Sequence, residues 1–377
     1  MRVLIDYRPA LRERSGVGEY AHQLVRALLR TFPPSDSRGP LDLTLFSSSW
    51  KDRLPPLPEI AAARAIDRRI PVRVLNFAWH RLRWPPAETL AQRPFDVTHS
   101  MHPLLMPARD AAQVITIHDL NFLTHPERTH GEIRRDYGAL VHAHASRADR
   151  VITVSHFSAR QIQHRLAVAS DRISVCPPGA PEWKPRASPP KDGYVLFFGT
   201  LERRKNVGGL LDAYERLLTA RSSHSSVPEL VLAGRATDAA RGWLDRIAHP
   251  PLADHVRHIG YVEPADRRRL YDGARLLVQP SFEEGFGIPV LEAMTAGVPV
   301  VASNRGALPE VLEDAGLLVD AEDPEGLAAA IQRLIEDEPF ADACAAKGVM
   351  RSREFTWERT ARRVFDAYQQ AIDAHRH

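Results

Sequence analysis

Short apolar runs alternate along this chain with stretches in which apolar residues return every three or four positions. Runs at 3–5, 41–46, 96–100, 114–117, 150–154 and 173–176 read as strands buried on both faces, and the spacing between several of them opens to a helical period. The first such repeat is a strand at 3–5, a turn carrying Gly16 and Gly18, and a helix whose apolar face is Tyr20, Leu24, Val25 and Leu28. Ser155 stands where an N-cap belongs, opening a helix to about 166. Strand, glycine turn and helix in this order begin a doubly wound α/β domain. Residues 51–75, rich in proline, arginine and alanine, declare no element.

Residues 177–193 have the proline-rich composition of a linker, and the alternation then restarts. A strand at 194–198 leads through a loop to a helix at 207–218, and further strands read at 229–233, 256–262 and 276–278. A glycine turn at 284–287 precedes a helix at 288–296, which Gly297 stops with Pro299 just beyond, and a strand follows at 298–302. Asp323-Pro324-Glu325 caps a helix to 335. A last helix from 357 has Ala361, Val364, Phe365, Tyr368 and Ile372 on one face. No repeat recurs at a solenoid period. The expectation is an α/β protein of two Rossmann-like, doubly wound domains: 1–180, a linker at 181–193, then 194–355, with 356–377 a terminal helix.

Composition adds bounds. The 377 residues suffice for two domains, each with its own core. No apolar run reaches the length of a membrane span, and MRVLIDYRP reads as a strand rather than a signal peptide. Two cysteines, Cys176 and Cys344, make neither a disulfide framework nor a metal set and suit a reducing cytoplasm. The net charge of +3 hides an asymmetry: 27 Lys and Arg against 18 Asp and Glu in residues 1–190, or +9, leaving −6 for the rest. A basic first half could face phospholipid headgroups, a lipid-phosphate acceptor or nucleic acid. No zinc-finger or RNA-recognition signature accompanies it, so nucleic acid ranks lowest. Residues 74–86, VLNFAWHRLRWPP, fit either a surface that docks on a membrane or acceptor, or a core helix with arginines reaching out to water.

Candidate chemistry concentrates in three places. Glu284 sits on the turn and Glu292 eight residues later on the helix behind it. Carboxylates accept hydrogen bonds from vicinal hydroxyls, and a helix start offers free N–H groups, so the pair could clamp sugar and ribose; a surface loop with an ordinary helix is the plain alternative. Arg203, Arg204 and Lys205 stand at a second helix start, suited to a pyrophosphate or simply a solvated basic loop. His118 ends a buried run, where open α/β sheets place ligands, although a lone histidine is as well read as structural. Gly16-Val17-Gly18 lacks the full dinucleotide fingerprint, and His142 and His144, two apart, share no helix face and make a poor metal pair.

The stretch EGFGIPVLEAMTAGVPVVAS resembles the E-x7-E region of the retaining glycosyltransferases of family 4, which have the GT-B fold. ITIHDLNFLTHPE, TVSHFSA, FFGTLERRKNVGGLLDAY and SNRGALPEVLEDAGLLVD continue the resemblance over essentially the whole chain. It implies two facing Rossmann-like domains, an active site in the cleft, and a terminal helix crossing back to the first domain. It also implies that Glu284 and His118 meet the donor sugar, that Glu292 meets the ribose, and that Lys205 and Arg204 meet the pyrophosphate. Gly16, Gly18, Gly285, Phe286, Gly287 and Ile288 would line the donor site, as would residues 304–308, while Tyr261 and Val262 would lie by the base. Many family members carry arginine where Thr200 stands, which leaves Arg203 and Arg204 open as the second cation; separately, they usually carry glutamate or lysine where His156 stands.

The implied activity is transfer of a hexose from a nucleoside diphosphate sugar to a glycan or lipid-linked acceptor, with no cofactor. GDP-mannose is the favoured donor and a UDP-hexose the alternative. No Asp-x-Asp occurs, which suits catalysis without a metal ion. Two other classes stay in view: an NAD-dependent oxidoreductase, which lacks its fingerprint here, and an inactive sugar-nucleotide-binding protein. The expected location is the cytoplasm, or the inner face of the membrane through the basic first domain.

Overall fold

The structure is a computed structural model describing residues 1–11, 16–33, 41–124, 131–190, 192–220 and 227–376, with the backbone alone for 131–137. The chain forms two compact units, one of Met1–Gly179 with Thr356–His377 and one of Ala180–Phe355.

The first unit is built on seven parallel strands: β1 (Arg2–Asp6), β2 (Asp42–Ser48), β3 (Arg64–Arg68), β4 (Val97–Ser100), β5 (Ala112–Ile117), β6 (Arg150–Thr153) and β7 (Ile173–Val175). Their spatial order is β3-β2-β1-β4-β5-β6-β7, so the direction of winding reverses between β1 and β4. Val3 pairs with Leu43 on one side and Val97 on the other, and all three are buried, as their unbroken apolar runs require. The run in 51–75 that declared no element contains β3. Its sequence, Arg-Ala-Ile-Asp-Arg, reads as loop because an edge strand has one neighbour and tolerates charge.

The helix Val17–Thr31 buries the expected Tyr20, Leu24, Val25 and Leu28. The terminal helix Trp357–His375 packs on it and on β5 and β6, with Phe365 stacked on Phe32 at 4.3 Å. Tyr368 is the deepest anchor of this helix. Its hydroxyl meets His99 Nδ1 at 2.8 Å, and His99 Nε2 meets the Thr116 hydroxyl at 2.7 Å.

The second unit has six parallel strands: β8 (Tyr194–Phe198), β9 (Leu230–Ala233), β10 (Val256–Gly260), β11 (Ala274–Gln279), β12 (Val300–Ser303) and β13 (Leu317–Val319). Their order is β10-β9-β8-β11-β12-β13, with the reversal between β8 and β11. β11 starts earlier than its apolar run because Arg275 lies within it and sends its guanidinium to the Ile335 carbonyl, 2.9 Å away. β12 starts later because Pro299, which has no N–H, only accepts, from the Leu277 amide at 2.9 Å. Ser155, Asp323 and Gly297 cap their helices as read, the first two by accepting backbone N–H bonds and Gly297 by its left-handed backbone, φ +74°.

Candidate functional site

In the second unit the strand order reverses between β8 and β11, and the loops leaving their carboxyl ends converge there. After β8 the chain makes a short turn, Arg203–Lys205, closed by Asn206 in a left-handed conformation. Asn206 was not singled out from sequence, yet it holds the place together. Its side-chain oxygen caps the helix Val207–Thr219 through the Gly209 amide, and its Nδ2 donates to the carbonyls of Pro280 (3.2 Å) and Ala321 (2.7 Å).

Lys205 and Arg204 are thereby aimed at Glu284 on the loop after β11. Lys205 Nζ lies 2.5 Å from Glu284 Oε1, and Arg204 Nη1 lies 2.9 Å from Oε2. Gln279 Nε2 and the Ser281 hydroxyl donate to Oε1 as well, at 3.0 and 2.8 Å. Burial pushes the Glu284 carboxyl up, but Lys205 and then Arg204 outweigh it and hold it at about 2. Burial draws the Lys205 ammonium below its ordinary value, with Glu284 opposing. Arg204 is the second cation at Glu284 and is itself held by Glu202 Oε1 at 2.8 Å. Glu284 is thus an ionised acceptor with room for one further donor, at Oε2, and unfit to act as an acid near neutral pH.

Backbone shape enforces this arrangement. A Cβ on Gly306 (φ +64°) would lie 2.6 Å from the Glu284 nitrogen, and one on Gly287 (φ +103°) would lie 2.6 Å from Leu308 Cδ2. Gly285 is buried, Ile288 half-buried, and the Phe286 ring is buried edge-on against Phe355 at 5.6 Å. The Phe286 side chain is therefore spent on packing. Pro289 also removes one donor from the helix start at Ile288.

Glu292 points to different partners, Arg267 Nη1 at 3.4 Å and the Tyr271 hydroxyl at 2.8 Å. Tyr261 and Val262 follow β10, both half-buried, and the Arg235 guanidinium lies 4.8 Å over the Tyr261 ring.

The first unit carries the remaining candidates. Gly16 is the N-cap of Val17–Thr31 with φ +55°, a conformation that favours glycine, and Gly18 is buried in the first turn. His118 follows β5, with its ring edge-on to Tyr20 at 4.9 Å. Its Nε2 is buried and makes no hydrogen bond among the described residues. Burial pulls this imidazole down to about 4, so it is neutral at pH 7. Part of the adjoining THPE stretch, 125–127, lies outside the described residues, as does Ser15 beside the glycine turn.

A further buried polar group, missed from sequence, sits where β1 and β4 end. Arg8 grips Asp6 at 2.6 Å, and His102 Nε2 reaches the same carboxylate at 3.2 Å. Arg8 holds the Asp6 carboxyl below its ordinary range against burial. His80 packs edge-on to His102 and His144, and burial presses it down to about 2. His144 accepts from the Leu105 amide at 2.9 Å. The signal available in sequence was Asp6-x-Arg8 at the end of an apolar run; the histidines are far apart in the chain and gave none.

Comparison with known proteins is consistent across the chain. The profile of "Glycosyl transferases group 1" matches residues 181–349, and that of "Glycosyltransferase Family 4" matches 14–182. The O-antigen chain mannosyltransferase B of Escherichia coli is 31% identical, over 98% of this chain and all of that protein. The sucrose-phosphate synthase of Thermosynechococcus elongatus superposes with a TM-score of 0.76 at 22% identity, covering 99% of this chain and 100% of that one. HepE of Anabaena, solved with UDP and glucose, gives 0.67 at 18% identity over 97% and 98%. The structural likenesses show the fold, which is GT-B.

Proposed function

The chain belongs to the glycosyltransferases of group 1 and family 4, and from that premise we propose that it moves a hexose from a nucleoside diphosphate sugar to a hydroxyl of a glycan or lipid-linked acceptor, retaining anomeric configuration and using no metal ion. Mannose carried by GDP is the favoured donor, on the likeness to the E. coli mannosyltransferase. The likeness to HepE bound to UDP keeps a UDP-hexose as the second reading.

One observation carries the reading: two cations and an ionised glutamate gathered at the strand-order reversal of the second sheet. The barrier to transfer is heterolysis of the anomeric C–O bond, which leaves negative charge on the diphosphate and positive character on the sugar. Lys205 has three ammonium protons and gives one to Glu284, leaving two for phosphate oxygens. With Arg204 it would supply the countercharge that a metal ion supplies elsewhere. Glu284, ionised, would accept one sugar hydroxyl at Oε2 and favour the cationic sugar. The acceptor oxygen would bond to the anomeric carbon on the face that the diphosphate leaves, its proton passing to a departing phosphate oxygen.

The first unit supports an acceptor at a membrane. Val74, Phe77, Leu82 and Trp84 are 58–66% exposed, while Leu75 and Trp79 on the same segment are buried. Residues 68–87 contain five arginines and no carboxylate. One face of this stretch is packed on the core, and the other presents apolar side chains to solvent. We assign the outer face to an anionic lipid surface.

Thermal-shift binding of GDP, UDP, ADP and NAD without divalent metal tests the donor. Stabilisation by GDP is expected; stabilisation by UDP alone selects the second donor, and by NAD alone, or by none, overturns the reading.

A further inference from the structure

The buried polar group beyond β1 and β4 stands where the first sheet reverses its order, the place at which open α/β sheets take ligands. Much of it is answered within the protein. Arg8 is spent on Asp6 and on Asn76 Oδ1 at 2.9 Å, and its guanidinium lies 4.8 Å over Trp79. His102 holds Asp6 and accepts from the Leu104 amide at 3.3 Å, and His144 accepts from the Leu105 amide. His80 and Arg147 are different. Among the described residues, His80 Nε2 and Arg147 Nε are buried and make no hydrogen bond. His80 is 8% exposed, in the turn Ala78–Leu82, with the His102 ring at 5.8 Å and the His144 ring at 6.0 Å. Arg147 ends the helix Gly131–Arg147, three residues after His144.

Charge agrees with the hydrogen bonds. Burial, and then Arg83, draw the Arg147 guanidinium below its ordinary value, and Arg147 and Arg83 both press on His144. Arg83 closes the turn Ala78–Leu82, in a stretch, 68–87, that has no carboxylate. Asp6 pulls the other way at His80 but is already gripped by Arg8. A cation on the last turn of a helix gains from the helix dipole, which accounts for Arg147. It does not account for a second guanidinium beside it, nor for a buried imidazole nitrogen without a partner, which costs about 1–3 kcal/mol.

We propose that Arg83, Arg147 and His80 form a binding site for a phosphate ester, the two guanidiniums supplying its countercharge and His80 Nε2 a hydrogen-bond donor. Guanidiniums take phosphate oxygens through paired N–H groups, and two of them match the charge of a phosphate better than that of a carboxylate. Arg83 lies on the segment whose outer face, Val74, Phe77, Leu82 and Trp84, is exposed. The phosphate therefore belongs to a lipid-linked acceptor or to a phospholipid headgroup, a choice of sources that rests on the lipid-facing reading above.

Calorimetric titration with inorganic pyrophosphate of protein already loaded with GDP, or with UDP if that is the nucleotide bound, reads this site with the donor site filled. Wild type should bind pyrophosphate at one further site. Arg83→Gln and Arg147→Gln should each weaken it by about tenfold or more, the scale of a hydrogen bond to a charged group. His80→Phe should weaken it alike, while His80→Gln, which keeps an N–H donor at similar reach, should retain most of it. Dihexanoyl phosphatidylglycerol that displaces the pyrophosphate assigns the site to a headgroup; pyrophosphate left in place assigns it to the acceptor. Wild-type affinity in both arginine variants, or no further site in loaded wild type, overturns the proposal; should His80→Phe not fold, the exposed Arg83 decides. If neither GDP nor UDP binds, the donor reading falls by itself, and the unloaded protein decides here. Pyrophosphate binding weakened by Arg147→Gln then keeps the site, and binding weakened by Lys205→Ala but not by Arg147→Gln removes it.

Discussion

At the scale of single residues, Glu284 takes four side-chain donors on its two oxygens. Glu284→Gln keeps the shape and removes the charge. Turnover should fall by about 10² or more, the usual cost of losing one electrostatic contact to a transition state, and steady-state transfer assays would read it. Lys205→Ala should weaken nucleoside diphosphate binding by about 1.5–3 kcal/mol, the worth of a hydrogen bond to a charged group; an unchanged dissociation constant would return Lys205 to a purely structural ion pair. Gly306 makes a backbone prediction. Alanine there must adopt φ +64° and press its Cβ on Glu284. Gly306→Ala should lose about 1–3 kcal/mol of stability from the strain alone, read by denaturant unfolding, and turnover should drop with it.

At the scale of elements, the terminal helix is bound to its sheet through a polar contact as well as an apolar one. His99, buried between Tyr368 and Thr116, is pushed by burial down to about 3. In the unfolded chain a histidine titrates near about 6.5. Between those values the unfolded state binds a proton that the native state refuses. Stability is therefore intact above about pH 6.5 and falls as pH drops toward 3, by about 1.4 kcal/mol per pH unit for this one group. His99→Asn should flatten the acid limb of an unfolding-versus-pH series by that slope, even though it lowers stability at pH 7. The segment at 72–84 answers to a different measurement. Co-sedimentation with vesicles containing anionic lipid should retain wild type and lose Phe77→Ser/Trp84→Ser, with thermal stability nearly unchanged because both side chains lie outside the core. Equal binding by the double variant would sink the lipid assignment.

At the scale of the whole molecule, two parallel sheets of the same doubly wound kind are threaded by one chain, and the last residues return to the first sheet. The division of charge, +9 before residue 190 and −6 after it, follows that threading. With Arg204 and Lys205 proposed as the countercharge to the leaving diphosphate, chelator should leave transfer intact. An activity that vanished with EDTA and returned with Mg²⁺ would contradict the mechanism. Among the described residues no helix is long and apolar enough to cross a membrane.

Sequence alone determined the elements wherever burial is two-sided and caps are local. The runs that became β1, β5 and β8, the helix Val17–Thr31, and the caps at Ser155, Asp323 and Gly297 were legible because strand and helix periods and cap chemistry are written within a few residues. It failed at β3, where an edge position tolerates charge, and at the ends of β11 and β12, where an arginine and a proline obscure the backbone pairing. The candidate glutamates, histidine and cations were visible as residue types on strand-end loops and through a family resemblance. What they touch was not. Arg204 and Lys205 meet Glu284 some 80 positions away in sequence, Glu292 meets Arg267, and His99 meets Tyr368, because sheet order, which no local period encodes, brings those loops and helices together. The tertiary structure thus decided the ionisation of Glu284, the partners of Glu292 and the exposed face of 72–84, since each depends on which distant groups exclude water or replace it.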